Sequence, residues 1–153
     1  MIAFKDMPPH SRIWVYQGAK EFLPKETESI KAKANEFVAQ WTSHDQLMKA
    51  SIEVFHNLFV VVCVDEKTAP ASGCGIDKSV KFIQSLEKEF NTSLLNRMYV
   101  AYRKGGQILS SPISELKNTG NITVFNNLVA TKEEFEKNWE VPLEKSWHKK
   151  FVA

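Results

Sequence analysis

Between residues 12 and 65 the apolar positions change their spacing three times, and each spacing predicts an element. In "RIWVYQ" (12 to 17), Ile13, Val15 and Gln17 alternate with Trp14 and Tyr16. A period of two in β-branched and aromatic residues predicts a strand. After Gly18 and Pro24 the spacing becomes three-and-four, through Ile30, Ala34, Phe37, Val38 and Trp41, with Glu28, Lys31, Lys33 and Glu36 mostly elsewhere. That is the signature of an amphipathic helix of about four turns. Beyond the polar loop "TSHDQ", Ile52, Val54 and His56 alternate with Ser51, Glu53 and Phe55, which restores the strand period. His56 and Asn57 then form a tight reversal into "LFVVVCVD" (58 to 65), a run so apolar that both of its faces should be covered, as in a central strand.

The second half repeats the alternation. "ASGCGIDKSV" (71 to 80) opens a helix marked by Val80, Ile83, Leu86 and Phe90, with Asp77 as the expected N-cap, Lys88 near the far end and Asn91 at the close. "RMYVAYR" (97 to 103) alternates again, and Gly105 with Gly106 turns the chain toward "QILS". The order strand, helix, strand, strand, helix, strand predicts an α+β fold of the ferredoxin-like type: a four-stranded antiparallel sheet with both helices on one face. Residues 1–153 then form a single domain, with the ferredoxin-like core at 11–104 and a C-terminal α/β extension at 105–153 packed on it. The extension is predicted to hold a short helix at "PISEL", a strand at "NITVFNNLV", and a helix at "TKEEFEKNW" opened by Thr131 with Glu134 in the capping-box position. Trp147 and Phe151 supply apolar bulk to cover the open sheet face.

Composition narrows the function classes. Hydrophobic residues make up 43% and charged residues 25% of 153, the balance of a folded globular chain. Twenty basic and eighteen acidic residues, spread along the chain, give a net charge of +2 and no dense positive field of the sort nucleic-acid binders use. The apolar run 58 to 64 is too short to span a membrane. "MIAFKDMPPH" lacks the basic region and apolar stretch of a secretory signal, so a cytoplasmic location is expected. Cys63 and Cys74 are accordingly expected to be reduced.

The loop at 71 to 80 invites a nucleotide reading, which fails residue by residue. Aligning Lys78 and Ser79 with the end of a Walker A loop puts Asp77 and Ser72 where its two glycines belong, and a carboxylate beside phosphates repels them. Nucleotide hydrolysis is not expected of this loop. Four stretches, "SRIWVYQ", "SGCGID", "VFNNLV" and "SWH", in this order and over most of the chain, resemble a family of short uncharacterised bacterial proteins often labelled "ABC transporter ATPase". The label implies a nucleotide-driven transport subunit, for which "KGGQI" (104 to 108) offers a fragment of an LSGGQ-type signature. The resemblance assigns no activity to particular residues and implies chiefly that the four stretches share one fold.

A thiol reading is the sharper one. Near a helix N-terminus the unpaired N–H groups stabilise a thiolate, so Cys74 becomes a candidate nucleophile, with His44 or His148 as its base and Asp77 or Asn126 to orient the imidazole. The plainer reading makes this stretch a tight connection in which Gly73 and Gly75 take positive φ, Cys74 packs as a small hydrophobe and Asp77 caps the helix. His44, Cys74 and His148 are scattered singly rather than at a metal-ligand spacing, so neither a metal nor another cofactor is implied. Asn126 and Asn127, in an otherwise apolar stretch, demand hydrogen-bond partners and either pin neighbouring backbone or line a polar cleft. With Trp14, Trp41 and Trp147 they outline a candidate aromatic pocket. Two functions follow: a non-catalytic domain binding a small ligand or protein between sheet and tail, or a small cysteine-dependent acyl-transfer enzyme. The first is preferred, because no catalytic constellation is complete in the sequence. Uncovered strand edges also suit the pairing of two copies into a homodimer.

Overall fold

The alternation at 12 to 17 forms β1 (Arg12–Gln17). The chain then enters α1 (Pro24–Gln40), where Pro24 takes the first turn, in which a missing N–H costs nothing, and Glu26 accepts a hydrogen bond from the Leu23 N–H at 2.8 Å. These are the coordinates of a computed structural model, and they describe residues 1–67 and 69–152. The polar loop "TSHDQ" is itself ordered as a small hairpin of β2 (Thr42–Ser43) and β3 (Gln46–Leu47), with His44 and Asp45 at positive φ in its turn. β4 (Ala50–Phe55) and β5 (Phe59–Val64) follow, joined by His56 and Asn57 at φ 55° and 52°. Every residue of β5 is buried, as its unbroken apolar run requires.

α2 (Gly73–Phe90) starts four residues before Asp77. Ser72 caps it, its hydroxyl accepting from the Gly75 N–H at 3.4 Å, while Asp77 lies exposed in the second turn. Gly73 and Gly75 are helical rather than at positive φ. Gly75 sits in close contact: a Cβ there would lie 3.1 Å from Ser43 Cβ, so β2 docks directly against the first turn of α2. Asn91, at φ 49°, closes the helix.

The remaining elements are β6 (Tyr99–Lys104), β7 (Gln107–Pro112), β8 (Thr123–Phe125), α3 (Lys132–Asn138) and β9 (Glu140–Pro142), with 3-10 turns at Ile113–Asn118, Leu143–Lys145 and Trp147–Phe151. Thr131 caps α3 by accepting from the Glu134 N–H. β8 ends at Phe125, so Asn126 and Asn127 belong to a turn and not to a strand running on to residue 129.

The fold is mixed α/β with antiparallel sheets. One sheet has the order β1-β5-β4, the order in which a ferredoxin-like fold places its first three strands. The predicted fourth strand, β6, is not in that sheet. It pairs with β7 over six residues and with β8 through Tyr102↔Val124, in a second sheet of order β7-β6-β8-β9. The cause is local: Gly105 and Gly106, at φ 58° and 78°, close a tight hairpin that commits one edge of β6 to β7, and β8 takes the other. On that second edge β8 pairs with Tyr102 and Arg103, and β6 forms no ladder with β1.

The first sheet is covered on both sides. Tyr16, Ile52, Val60, Val62 and Val64 pack against Ile30, Ala34 and Val38 of α1 and Ile83 and Leu86 of α2. On the opposite face Ile13, Val15, Phe59, Val61 and Cys63 meet Ala101, Phe125, Val129, Phe135 and Trp139. The C-terminal extension was expected to cover that face, with Trp147 and Phe151 as its bulk. It meets the face through Phe125, Val129, Phe135 and Trp139 instead of those two residues: Phe59, Phe125, Phe135 and Trp139 interlock there, with ring centroids 4.4–4.9 Å apart. Phe151 is left 43% exposed.

Candidate functional site

With β6 in the second sheet, the edge of β1 that faces away from β5 is left open beyond residue 13, and the site is built on that edge. Gly18 donates to the Leu58 carbonyl, so the even-numbered residues of β1 hydrogen-bond to β5 and the odd-numbered ones face away. Ile13, the first facing outward, gives its N–H to the Ala130 carbonyl at 2.9 Å, and Arg12 bridges to Thr131. From Val15 onward, among the described residues, no strand pairs with this edge.

A cavity of about 140 Å³ occupies the gap. Val15, Tyr16 and Gln17 line it from β1, Tyr99 and Val100 from β6, and Asn127, Trp147 and His148 from the turn after β8 and the C-terminal tail. A neighbouring cleft of about 340 Å³ shares Gln17, Asn96 and Tyr99 as walls and leads out past Gly18, Ala19 and Ser110. Larger concavities exist, notably a groove of about 850 Å³ lined by Arg103, Lys104, Lys117 and Lys149 together with Leu116, Ile122 and Leu143, but it opens more widely to solvent. The smaller cavity combines apolar walls with a few converging polar groups, the usual character of a ligand site.

Its polar side is held in place by a chain of amides. Trp139 Nε1 donates to Asn127 Oδ1 at 2.9 Å, Asn127 Nδ2 donates to Gln17 Oε1 at 3.0 Å, and Trp147 Nε1 donates to Asn126 Oδ1 at 3.0 Å. Asn126 also accepts the Leu128 N–H and gives its own N–H to the Trp139 carbonyl. The asparagine pair thus pins the turn and lines the cleft at once. His148 is 2% exposed, its ring stacked on Trp147, and its Nδ1 lies 2.5 Å from Ser146 Oγ. Ser146 Oγ also accepts the His148 N–H. Burial holds the imidazole pKa down at about 4. Tyr16 is shifted upward by burial, with the Arg97 guanidinium pulling the other way, which places that charge near the phenol.

Cys74 and Asp77 share the first two turns of α2, and His148 stands apart from them in the C-terminal tail. Cys74 lies exposed on the first turn of α2. His44 is in the β2–β3 turn, on the hairpin whose Ser43 lies within hydrogen-bond distance of Ser72, yet among the described residues no hydrogen bond joins Cys74 to His44, His148 or Asp77. His148 belongs to the cavity instead. The tryptophans do not share one pocket either. Trp41 is in the helical layer, donating to the Gly75 carbonyl at 2.9 Å, and Trp14 packs on that same side under Arg12. Of the aromatic pocket predicted from sequence, Asn127 and Trp147 line the cavity and Asn126 braces it. Tyr16, Gln17 and Arg97 were not singled out from sequence. Their one signal is the Gln17 amide on a strand face that is otherwise apolar. Among the described residues no group of three or more His, Cys, Asp or Glu side chains is placed to hold a metal, and no helix is long and apolar enough to cross a membrane. No family model, curated protein or solved structure matches the chain.

Proposed function

We propose that this chain is a non-catalytic ligand-binding domain whose ligand seats in the cavity along the open edge of β1. The observation that carries this reading is the cavity itself, where an apolar chamber meets an amide network that fixes its polar wall before any ligand arrives. A site organised in advance loses little conformational freedom on binding. The fold reading that goes with it is a ferredoxin-like half, opened where its last strand would have paired. The resemblance to the bacterial family labelled as an ATPase adds no step to this reading, because no phosphate cradle forms at 72 to 79: Ser72 is occupied as a helix cap and Asp77 faces solvent.

The test is a thermal-shift screen of ring-sized fragments against the full chain and against Ile113→Trp, which adds bulk to the cavity wall. At a concentration one hundred times its Kd a ligand stabilises by about 2.7 kcal/mol, worth roughly 5–10 °C in Tm at this chain length. At least one fragment should reach such a shift with the natural chain, be recovered unchanged, and lose the effect in Ile113→Trp when that variant keeps its native circular dichroism. Silence across the screen, or shifts that persist in the filled variant, would overturn the proposal.

A further inference from the structure

We infer that the ligand is a small carboxylic acid with one ring-sized apolar body, its carboxylate held at Arg97 and its body in the cavity; this rests on the binding reading above. Charge comes first. Arg97 carries the one permanent charge among the cavity's lining residues, and there is no aspartate or glutamate among them or in the walls of the adjoining cleft. Arg97 is exposed, and among the described residues no carboxylate is paired with it. A guanidinium at the mouth of an apolar chamber with no acid beside it attracts an anion and repels a cation.

The hydrogen-bonding groups point the same way. Gln17 has its oxygen taken by Asn127, which leaves its NH2 as a donor. The Tyr16 hydroxyl is a second donor among the lining residues. Donors around a guanidinium match the acceptor-only oxygens of a carboxylate. Phosphate is a poor alternative, since its second charge would meet one cation only.

Size sets the body. A dry engineered cavity of about 150 Å³ holds one benzene, and this chamber is of that order. Its apolar walls, Val15, Val100, Ile113, Phe125 and Leu128, offer contact to a ring or a branched chain of similar bulk, and Trp147 offers an aromatic surface.

The experiment titrates the full chain with benzoate, phenylacetate and their uncharged amides at pH 7, and repeats this with Arg97→Gln. Arg97 is exposed, so the substitution leaves folding intact. A charge-assisted hydrogen bond in such a setting is worth about a tenfold to hundredfold change in affinity. The natural chain should bind an acid at least tenfold more tightly than its amide, and Arg97→Gln should erase that preference while changing amide affinity less than about twofold. Equal binding of acid and amide, or an acid affinity indifferent to Arg97→Gln, would overturn the carboxylate assignment and leave the cavity as a site for neutral ligands. Failure of all four compounds, together with a silent fragment screen, would remove both readings.

Discussion

Replacing Trp139 with alanine is expected to cost about 3–5 kcal/mol, a large fraction of the stability of an ordinary domain of this size. Trp139 is buried where the first sheet, the second sheet and α3 meet. Its ring stacks on Phe135 at 4.4 Å and meets Phe59 and Phe125 edge-on at 4.8 and 4.9 Å, with Phe55 and His56 at 5.8 Å. No neighbouring side chain can collapse into a space bounded by three elements, so the lost transfer energy and the cavity left behind add together. Trp139→Phe separates the two roles of the residue. It keeps most of the packing but leaves Asn127 Oδ1 without its donor, and it should cost about 1–3 kcal/mol. Urea denaturation of the two variants measures both. A Trp139→Ala cost under about 1 kcal/mol would mean that the sheets do not close on this ring.

The second large effect is acid sensitivity centred on His148. Its pKa in the folded chain is about 4, below the ordinary 6.5, because burial disfavours the imidazolium. Between those two values the unfolded chain takes up a proton that the folded chain refuses, so stability falls as the pH is lowered through this window and is intact above it. The loss reaches roughly 2–3 kcal/mol by pH 4. His56 adds to it in the same sense: burial and then Arg103 lower its pKa, with Glu140 opposing. Asp65 does not mask the effect. Its pKa is lowered by the hydrogen bonds from His10 and the Lys67 N–H, so the stability it contributes is lost only as the pH falls below the ordinary carboxylate range. Urea midpoints at pH 7 and pH 4.5 should therefore differ clearly in the natural chain and much less in His148→Gln. Equal pH dependence in both would show that the imidazole is not buried as described.

Much of this architecture was legible because it is local. β1, α1, the His56–Asn57 reversal, the αL stop at Asn91, the Gly105–Gly106 turn and the Thr131 cap each follow from a few adjacent residues, and each stands where the sequence puts it. Two errors came from punctuation. The glycines of "SGCG" look like a break, yet Ser72 before them can cap and Gly75 lies close against Ser43, so the helix starts there. "TSHDQ" looks like a loop because a two-residue strand has no visible period.

The larger error was the partner of β6. Its alternation says only that it belongs to a sheet, and β8, the competitor that takes its second edge, is three residues long. The site was half legible for a related reason. Asn126, Asn127 and Trp147 stand out as polar or amphipathic residues in apolar surroundings, and His148 as a titratable one. Tyr16, Arg97 and His148 approach the same cavity from three distant parts of the chain, and no spacing encodes that meeting.

The open edge of β1 supports the cavity, the anion at Arg97 and the displaced strand alike. Nuclear Overhauser contacts between backbone protons of an isotope-labelled sample test it without reference to any ligand. They should join Tyr102 to Val124 and Tyr102 to Leu109, and should give Val15 no partner strand on its outward side. A ladder of contacts between β1 and β6 would close the sheet, fill the gap, and contradict the account.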